Sequence, residues 1–126
     1  MNALTAHAAY QSNAVSTASP ARLLVMLLER LVLDVERGRG AQQLGDWESA
    51  HKHLIHAQDI VLELESSLQV DKMQGGAELA ALYAFLRNQL VQANIRRDPQ
   101  LSTEALGLAQ QMCDTWREAA MAAAIQ

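Results

Sequence analysis

The stretch from Trp47 to Leu68, WESAHKHLIHAQDIVLELESSL, indicates the fold most directly. An apolar seam runs along it at alternating intervals of three and four positions, formed by Trp47, Ala50, Leu54, Ala57, Val61, Leu64 and Leu68. This spacing places the seam on one face of an α-helix and is typical of side chains that interlock in left-handed helical bundles. With Asp46 as its N-cap, the stretch predicts an amphipathic helix over about 46–68.

A second helix is predicted upstream of this stretch. Ser19 suits the N-cap and Pro20 suits the first helical position, where its missing N–H group has no consequence. The apolar pattern continues to about Gln43, and Gly45 acts as the stop signal. We therefore predict a helix over about 20–43.

Two more helices are predicted downstream. The Gly75–Gly76 pair interrupts the chain, and an alternating apolar seam then predicts a helix over about 77–97. Asp98 and Pro99 open the last helix, over about 99–120, again as N-cap and first helical residue.

The two ends of the chain differ from its middle. Residues 1–18 are rich in Ala, Ser, Thr and Asn and cannot build a core, so we expect a short N-terminal arm there. At the other end we expect residues 119–126 to fray.

Short connections between long amphipathic helices make neighbouring helices antiparallel. The predicted fold is an all-α, up-down-up-down four-helix bundle over 19–126.

Composition excludes several classes of protein. The chain has 126 residues, with 10 Lys and Arg against 14 Asp and Glu, so its net charge of −4 gives no bulk attraction for nucleic acid or anionic membranes. The longest run of bulky apolar residues, Leu23 to Leu28, is far below the roughly 20 residues that cross a bilayer. The single cysteine, Cys113, favours a reducing compartment, and we expect a cytoplasmic protein with no membrane insertion.

The pattern of reactive side chains does not indicate an enzyme. His51, His53 and His56 lack the His-Glu-x-x-His arrangement, and no facing Glu-x-x-His sets occur, so we predict no metal site. Cys113 has no histidine near it in sequence and is interpreted as a small buried apolar residue. We predict no catalytic residues and no cofactor.

The helix over 20–43 carries more apolar residues than an ordinary surface helix. They cover an arc of roughly 200°, against about 100° for a typical amphipathic stripe. We expect the remainder to be covered by the N-terminal arm, by a second copy of the chain or by a partner segment. Asn94 is a second unusual residue, because an amide beside an apolar seam needs a hydrogen-bond partner. It could anchor the arm, fix the register of its helix or contact an incoming peptide.

An ordered set of residues resembles the flagellin export chaperone family, FliS. The resemblance runs from about residue 9 to residue 119, and no single piece carries it alone. The matching positions are Ala9-Tyr10-Gln11, Val15, Thr17-Ala18-Ser19-Pro20, Leu23-Leu24, Met26-Leu27, Gly45-Asp46, Ala57, Ile60, Leu64, Leu68, Gly75-Gly76, Leu82-Tyr83, Leu90, Gln92-Ala93-Asn94, Asp98 and Trp116.

The resemblance implies a cytoplasmic chaperone that binds the disordered C-terminal segment of flagellin. Such proteins prevent premature polymerisation and aid delivery to the type III export gate, and their N-terminal arm can lie over the flagellin-binding surface. The alternative is a structural or regulatory helical module that dimerises through the apolar face of the helix over 20–43. We expect a monomer or a weak homodimer.

Helix-in-groove recognition requires an apolar groove, and we predict which residues line it. Four leucines come from the helix over 20–43 and two from the helix over 77–97, namely Leu24, Leu27, Leu28, Leu31, Leu86 and Leu90. Tyr10 and Val15 are expected to plug this groove in the free protein or to clasp the client. Asn94 completes the predicted partner-binding set.

Overall fold

The computed structural model describes residues 19–125, and this part of the chain contains four α-helices and no strand. The elements are α1 (Pro20–Gln43), α2 (Trp47–Ser67), a short 3₁₀ turn (Val70–Lys72), α3 (Gly76–Ile95) and α4 (Pro99–Ile125). The predicted N-terminal arm, with Tyr10 and Val15, lies outside the described residues. None of the helices in 19–125 has both the length and the apolar character that a bilayer span requires.

Side-chain caps set the beginnings of α1 and α2. The Ser19 hydroxyl accepts a hydrogen bond from the Arg22 N–H (3.2 Å), and Pro20 occupies the first turn. At α2, the Asp46 carboxylate accepts from the Ser49 N–H (3.2 Å). Both caps satisfy N–H groups that have no partner within the helix, so each helix begins where the sequence predicts.

Two helix ends differ from the prediction. α3 ends at Ile95, two residues early, because Arg97 adopts a left-handed backbone conformation (φ 51°). α4 continues to Ile125, five residues beyond its predicted end at about residue 120. Its last turns are rich in alanine, the strongest helix former, and Ala120 lies beside Pro20 of α1.

The four helices form a closed ring, which confirms the predicted all-α bundle. α1 packs against α2 and α4, and α3 packs against the same two helices. Contacts between helix halves of opposite sense show the antiparallel arrangement. Glu29 in the first half of α1 pairs with Arg117 in the second half of α4, and Asn94 at the end of α3 bonds His51 near the start of α2.

The core follows the predicted seams. Its fully buried centre contains Leu28, Leu31, Val35, Leu54, Val61, Leu64, Tyr83, Leu86, Leu90, Ala105 and Ala109. Cys113 is 2% exposed, as expected for a small apolar residue, and burial raises the pKa of its thiol. The protonated thiol is a poor nucleophile.

The core also contains a carboxylate that the sequence analysis did not identify. Asp34 of α1 is 0% exposed, and its two oxygens contact Arg30 Nε (3.2 Å) and the Nδ1 atom of His56 on α2. A buried carboxylate is costly without partners; Arg30 supplies one from the same helix, and His56 supplies one that links α1 to α2. The His56 ring is half exposed and is held by this contact.

Two glycines lie where a side chain would have no room. Gly38 of α1 is so close to Leu54 of α2 that an added Cβ atom would be 2.8 Å from the leucine Cδ2 atom. At Gly76, an added Cβ atom would be 2.5 Å from the carbonyl oxygen of Val70. The 3₁₀ turn can therefore fold back onto the start of α3 only because residue 76 has no side chain.

Replacing Gly76 by alanine tests this close approach. We expect Gly76→Ala to lower the free energy of unfolding by about 1–3 kcal/mol, because a backbone carbonyl cannot move aside as a flexible side chain can. Gly107 is the matched control: it lies within α4 with no atom near its missing Cβ. Gly107→Ala should raise the free energy of unfolding by about 0.5–1 kcal/mol. Urea denaturation measures both changes, and an equal response of the two variants would contradict the packing at Gly76.

Candidate functional site

An apolar groove opens at the end of the bundle where α1 begins. We call it the end groove; it encloses about 520 Å³. Apolar side chains from all four helices and from the segment between α2 and α3 line it: Leu23, Leu24, Leu27, Leu64, Leu68, Met73, Leu79, Tyr83 and Trp116. Glu63 and Lys72 are charged residues in its lining. The groove is thus apolar inside, with one charge of each sign at its wall.

The end groove is a continuation of the core. Leu64 and Tyr83 are 2% exposed and belong to the last closed layer of side chains. Beyond them, Leu24, Leu68 and Leu79 pack against the core but stay partly exposed. The last apolar layer of the bundle is therefore left open, in a shape that can accept further apolar side chains.

The structure corrects the predicted groove lining. Leu24 and Leu27 do line the end groove, whereas Leu28, Leu31, Leu86 and Leu90 are each 0% exposed and lie in the core. The reason is that α1 contacts α2 on one flank and α4 on the other, so the bundle itself covers most of the wide apolar arc. The surplus apolar surface of α1 is concentrated in its first two turns.

Several groove residues were not singled out from the sequence as site residues. Leu68, Met73 and Leu79 flank the junction between α2 and α3, and Trp116 is a seam residue of α4. Each continues an apolar seam close to the place where a neighbouring helix begins or ends. Seam position alone does not show where neighbours stop, so a seam residue in an open layer has the same sequence pattern as a core residue.

Asn94 lies at the opposite end of the bundle. Its side-chain amide bonds the Nδ1 atom of His51 (2.9 Å), which joins the end of α3 to the start of α2. Asn94 is therefore not brought together with Leu24 and Leu27, contrary to the expectation of a single partner-binding set. Tyr10 and Val15 lie outside the described residues.

A buried polar link holds the helices together near Asn94. Gln42 of α1 is 4% exposed; its amide nitrogen donates to the carbonyl of Ala93 on α3 (3.0 Å). Its amide oxygen accepts from the hydroxyl of Ser102 on α4, which is 0% exposed (2.6 Å). Because three helices share one satisfied amide, this end of the bundle is closed and fixed in register.

The described residues offer little that could support catalysis or metal binding. Across residues 19–125, no three His, Cys, Asp or Glu side chains come together as metal ligands would. Asp34 with Arg30 and His56 lies between two packed helices, away from the end groove. The linked surface ion pairs of Glu29 and Arg117 are also outside the groove lining. The arrangement is suited to binding an apolar segment.

Comparison with known proteins agrees with this geometry. The family model described as flagellar protein FliS matches residues 2–123. The chain is 33% identical to the flagellar secretion chaperone FliS of Bacillus subtilis over 113 residues, which cover 90% of this chain and 84% of the relative. It is 30% identical to the Vibrio cholerae protein of the same name over 106 residues, covering 81% and 76% of the two chains.

A third relative extends the similarity. The flagellar secretion chaperone FliS of Salmonella typhimurium is 29% identical over 119 residues, which cover 90% of this chain and 86% of the relative. The family model spans the bundle as well as most of the segment before it. The chain therefore belongs to the FliS family of flagellar secretion chaperones, which are not enzymes.

Proposed function

We propose that this chain binds the C-terminal segment of flagellin in the cytoplasm, prevents its premature polymerisation and aids its delivery to the flagellar type III export gate. The observation that carries the proposal is the open end groove in a chain of this family. A disordered client cannot present a preformed surface, so its chaperone needs apolar surface that stays available while the chaperone itself is folded.

The side chains of the end groove suit an amphipathic helix that folds on binding. Leu24 and Leu27 lie on one side, Leu68 and Leu79 on the other, and the indole of Trp116 offers a large aromatic contact. Aromatic anchors of this kind carry much of the binding energy at protein interfaces. Apolar client residues at positions i, i+3, i+4 and i+7 would fill such a groove.

Energetics favour a contact that extends beyond the end groove. Ordering a disordered segment costs about 2–5 kcal/mol or more, which a short apolar contact offsets only in part. A client that continues from the groove over the outer faces of the helices gains further area. In this proposal the buried leucines Leu28, Leu31, Leu86 and Leu90 belong to the core and do not touch the client.

The N-terminal arm is proposed as a competitor for the same groove. The described chain begins beside it, because Pro20 is one of its lining residues. Tyr10 and Val15 would then occupy the groove in the free protein or clasp the client after it binds. A competing arm lowers the apparent affinity in proportion to the time it is docked, which would favour release at the export gate without nucleotide hydrolysis.

Co-purification with flagellin tests the proposed function. We expect full-length flagellin to co-elute with this chain in size-exclusion chromatography, and flagellin that lacks its C-terminal segment to elute alone. Added chaperone should delay filament growth from the full-length subunits. A chain that forms dimers and leaves both elution and filament growth unchanged would instead support the structural or regulatory module.

Charge substitution separates the groove from the core. Leu27→Asp should weaken flagellin binding at least 100-fold while the bundle stays folded, because this leucine lines the open groove. Leu44→Asp is the matched control at the other end of α1, where the side chain is 86% exposed, and should leave binding unchanged. Calorimetry measures the affinities and circular dichroism checks the fold. Tight binding by a folded Leu27→Asp variant would exclude the end groove as the flagellin site.

Deletion of Met1–Asn13 tests the competing arm. If the arm occupies the groove, the truncated chain should bind flagellin more tightly and should enhance the fluorescence of a hydrophobic dye. If the arm mainly clasps the client, the truncated chain should bind flagellin more weakly. Unaltered affinity together with unaltered dye fluorescence would show that the arm does neither.

A further inference from the structure

The end of α3 has a backbone conformation that ordinarily calls for glycine. The N–H groups of Arg97 and Asp98 donate to the carbonyls of Asn94 (3.3 Å) and Ala93 (3.0 Å), and Arg97 has φ 51°. The same pair of bonds closes α1, where Gly45 stands at the corresponding position with φ 73°. Within residues 19–125, Arg97 is the one residue other than glycine with positive φ. A non-glycine residue in this conformation directs attention to its side chain.

The side chain of Arg97 forms one wall of a small pocket. Its guanidinium lies over the ring of Trp47, 5.1 Å from the ring centroid. The pocket encloses about 310 Å³, and Gln42, His51, Asn94 and Ile95 also line it; we call it the Trp47 pocket. It lies at the closed end of the bundle, whereas the end groove lies where α1 begins.

The guanidinium of Arg97 is available to a ligand. Among the described residues no carboxylate lies within 4.0 Å of it. Two acids that flank the pair already act as helix caps: Asp46, next to Trp47, accepts from the Ser49 N–H, and Asp98, next to Arg97, accepts from the Gln100 N–H (2.9 Å). Stacking on an indole restricts the orientation of the guanidinium but leaves its N–H groups, which lie in its plane, free to donate. This arrangement favours bidentate binding of a carboxylate.

The remaining walls add polar and apolar contacts. The Asn94 amide donates to His51 Nδ1 (2.9 Å), which leaves the proton of a neutral imidazole on Nε2 as a further donor. Ile95 is 70% exposed and offers an apolar contact beside the guanidinium. The floor is rigid, because both ends of the Gln42 amide are bonded to neighbouring helices.

We propose that the Trp47 pocket is a second docking site, which binds a carboxylate side chain of a protein segment with an apolar residue next to it. The carboxylate pairs with Arg97 and the apolar residue packs on Ile95. Charge favours a peptide over a nucleic acid. One guanidinium can pair with one carboxylate, whereas the successive phosphates of a nucleic acid would be repelled by a chain of net charge −4 and by exposed Glu48, which lies one residue from Trp47. This site goes beyond the proposed function and does not depend on it.

The two tryptophans of the chain report on the two sites separately. Trp47 lies in the pocket and Trp116 in the end groove, so their indole N–H signals in a ¹⁵N correlation spectrum of the full chain distinguish the sites. The probe is the peptide acetyl-Ala-Leu-Glu-Leu-Ala-amide, whose only carboxylate is the glutamate side chain. We expect it to shift the Trp47 indole and the Asn94 side-chain amide and to leave Trp116 unmoved. The peptide with glutamine in place of glutamate should bind at least tenfold more weakly.

Matched arginine variants test the role of the guanidinium. Arg97→Gln should weaken binding of the glutamate peptide at least tenfold, whereas Arg96→Gln removes the same charge one residue away and should change it less than twofold. Arg97→Gly removes the guanidinium and also the unfavourable backbone conformation. We expect this variant to melt no lower than the parent chain and still to lose the peptide, which separates ligand binding from a structural role.

Three results would overturn the proposal. The first is a glutamate peptide that leaves the Trp47 and Asn94 signals unmoved or binds no better than its glutamine counterpart. The second is an equal loss of binding in Arg97→Gln and Arg96→Gln. The third is a twelve-nucleotide oligothymidine that shifts Trp47 more strongly than the peptide at equal concentration, which would identify a phosphate-binding surface.

Discussion

The packing of α1 between α2 and α4 determines most of what this bundle exposes. Each helix of the ring has two neighbours, but α1 packs against both of its neighbours more extensively than α3 does, so it buries an arc wider than an ordinary amphipathic stripe. Leu28, Leu31 and Val35 are fully buried for this reason, and Gly38 brings the end of α1 into direct contact with Leu54 of α2. Partly exposed leucines remain in the first two turns of α1, where Leu23, Leu24 and Leu27 line the end groove. The end groove is therefore the unburied remainder of the core, placed where a client can reach it.

The two ends of the bundle differ in the chemistry that closes them. At one end Leu24, Leu68 and Trp116 form an open apolar layer. At the other, the Gln42 amide and the Ser102 hydroxyl form a buried, fully bonded link across three helices. A hydrogen-bonded link specifies one register, whereas an apolar layer accepts several partners of similar shape. The hydrogen-bonded end can thus hold the helices in register, and under the proposed function the open end would exchange one apolar partner for another.

The sequence could predict the elements more completely than the surfaces. Caps such as Ser19 and Asp46 are local, so the beginnings of α1 and α2 are legible from a few residues. Exposure is not local: Leu27 and Leu28 are adjacent in sequence, but one lines the groove and the other is fully buried.

The same limit applies to the polar residues of the bundle. Asp34 has the sequence pattern of a surface acid until α2 places His56 against it. Asn94 was identified as unusual from its seam position, but its partner, His51, is 43 residues away in the chain. Such pairings depend on which helices become neighbours, and that information is distributed over the whole chain.

The open groove has an energetic consequence for the proposed chaperone cycle. Each Å² of leucine surface that stays in water loses about 25 cal/mol of hydrophobic stabilisation. An unoccupied groove therefore lowers the free energy of unfolding of the free protein. A segment that covers Leu24, Leu27 and Trp116 recovers that free energy whether it comes from the client or from the N-terminal arm. Exchange between two such segments changes the total burial little and needs no external energy source. A closed core would be more stable, but it would leave nothing for a client to bind.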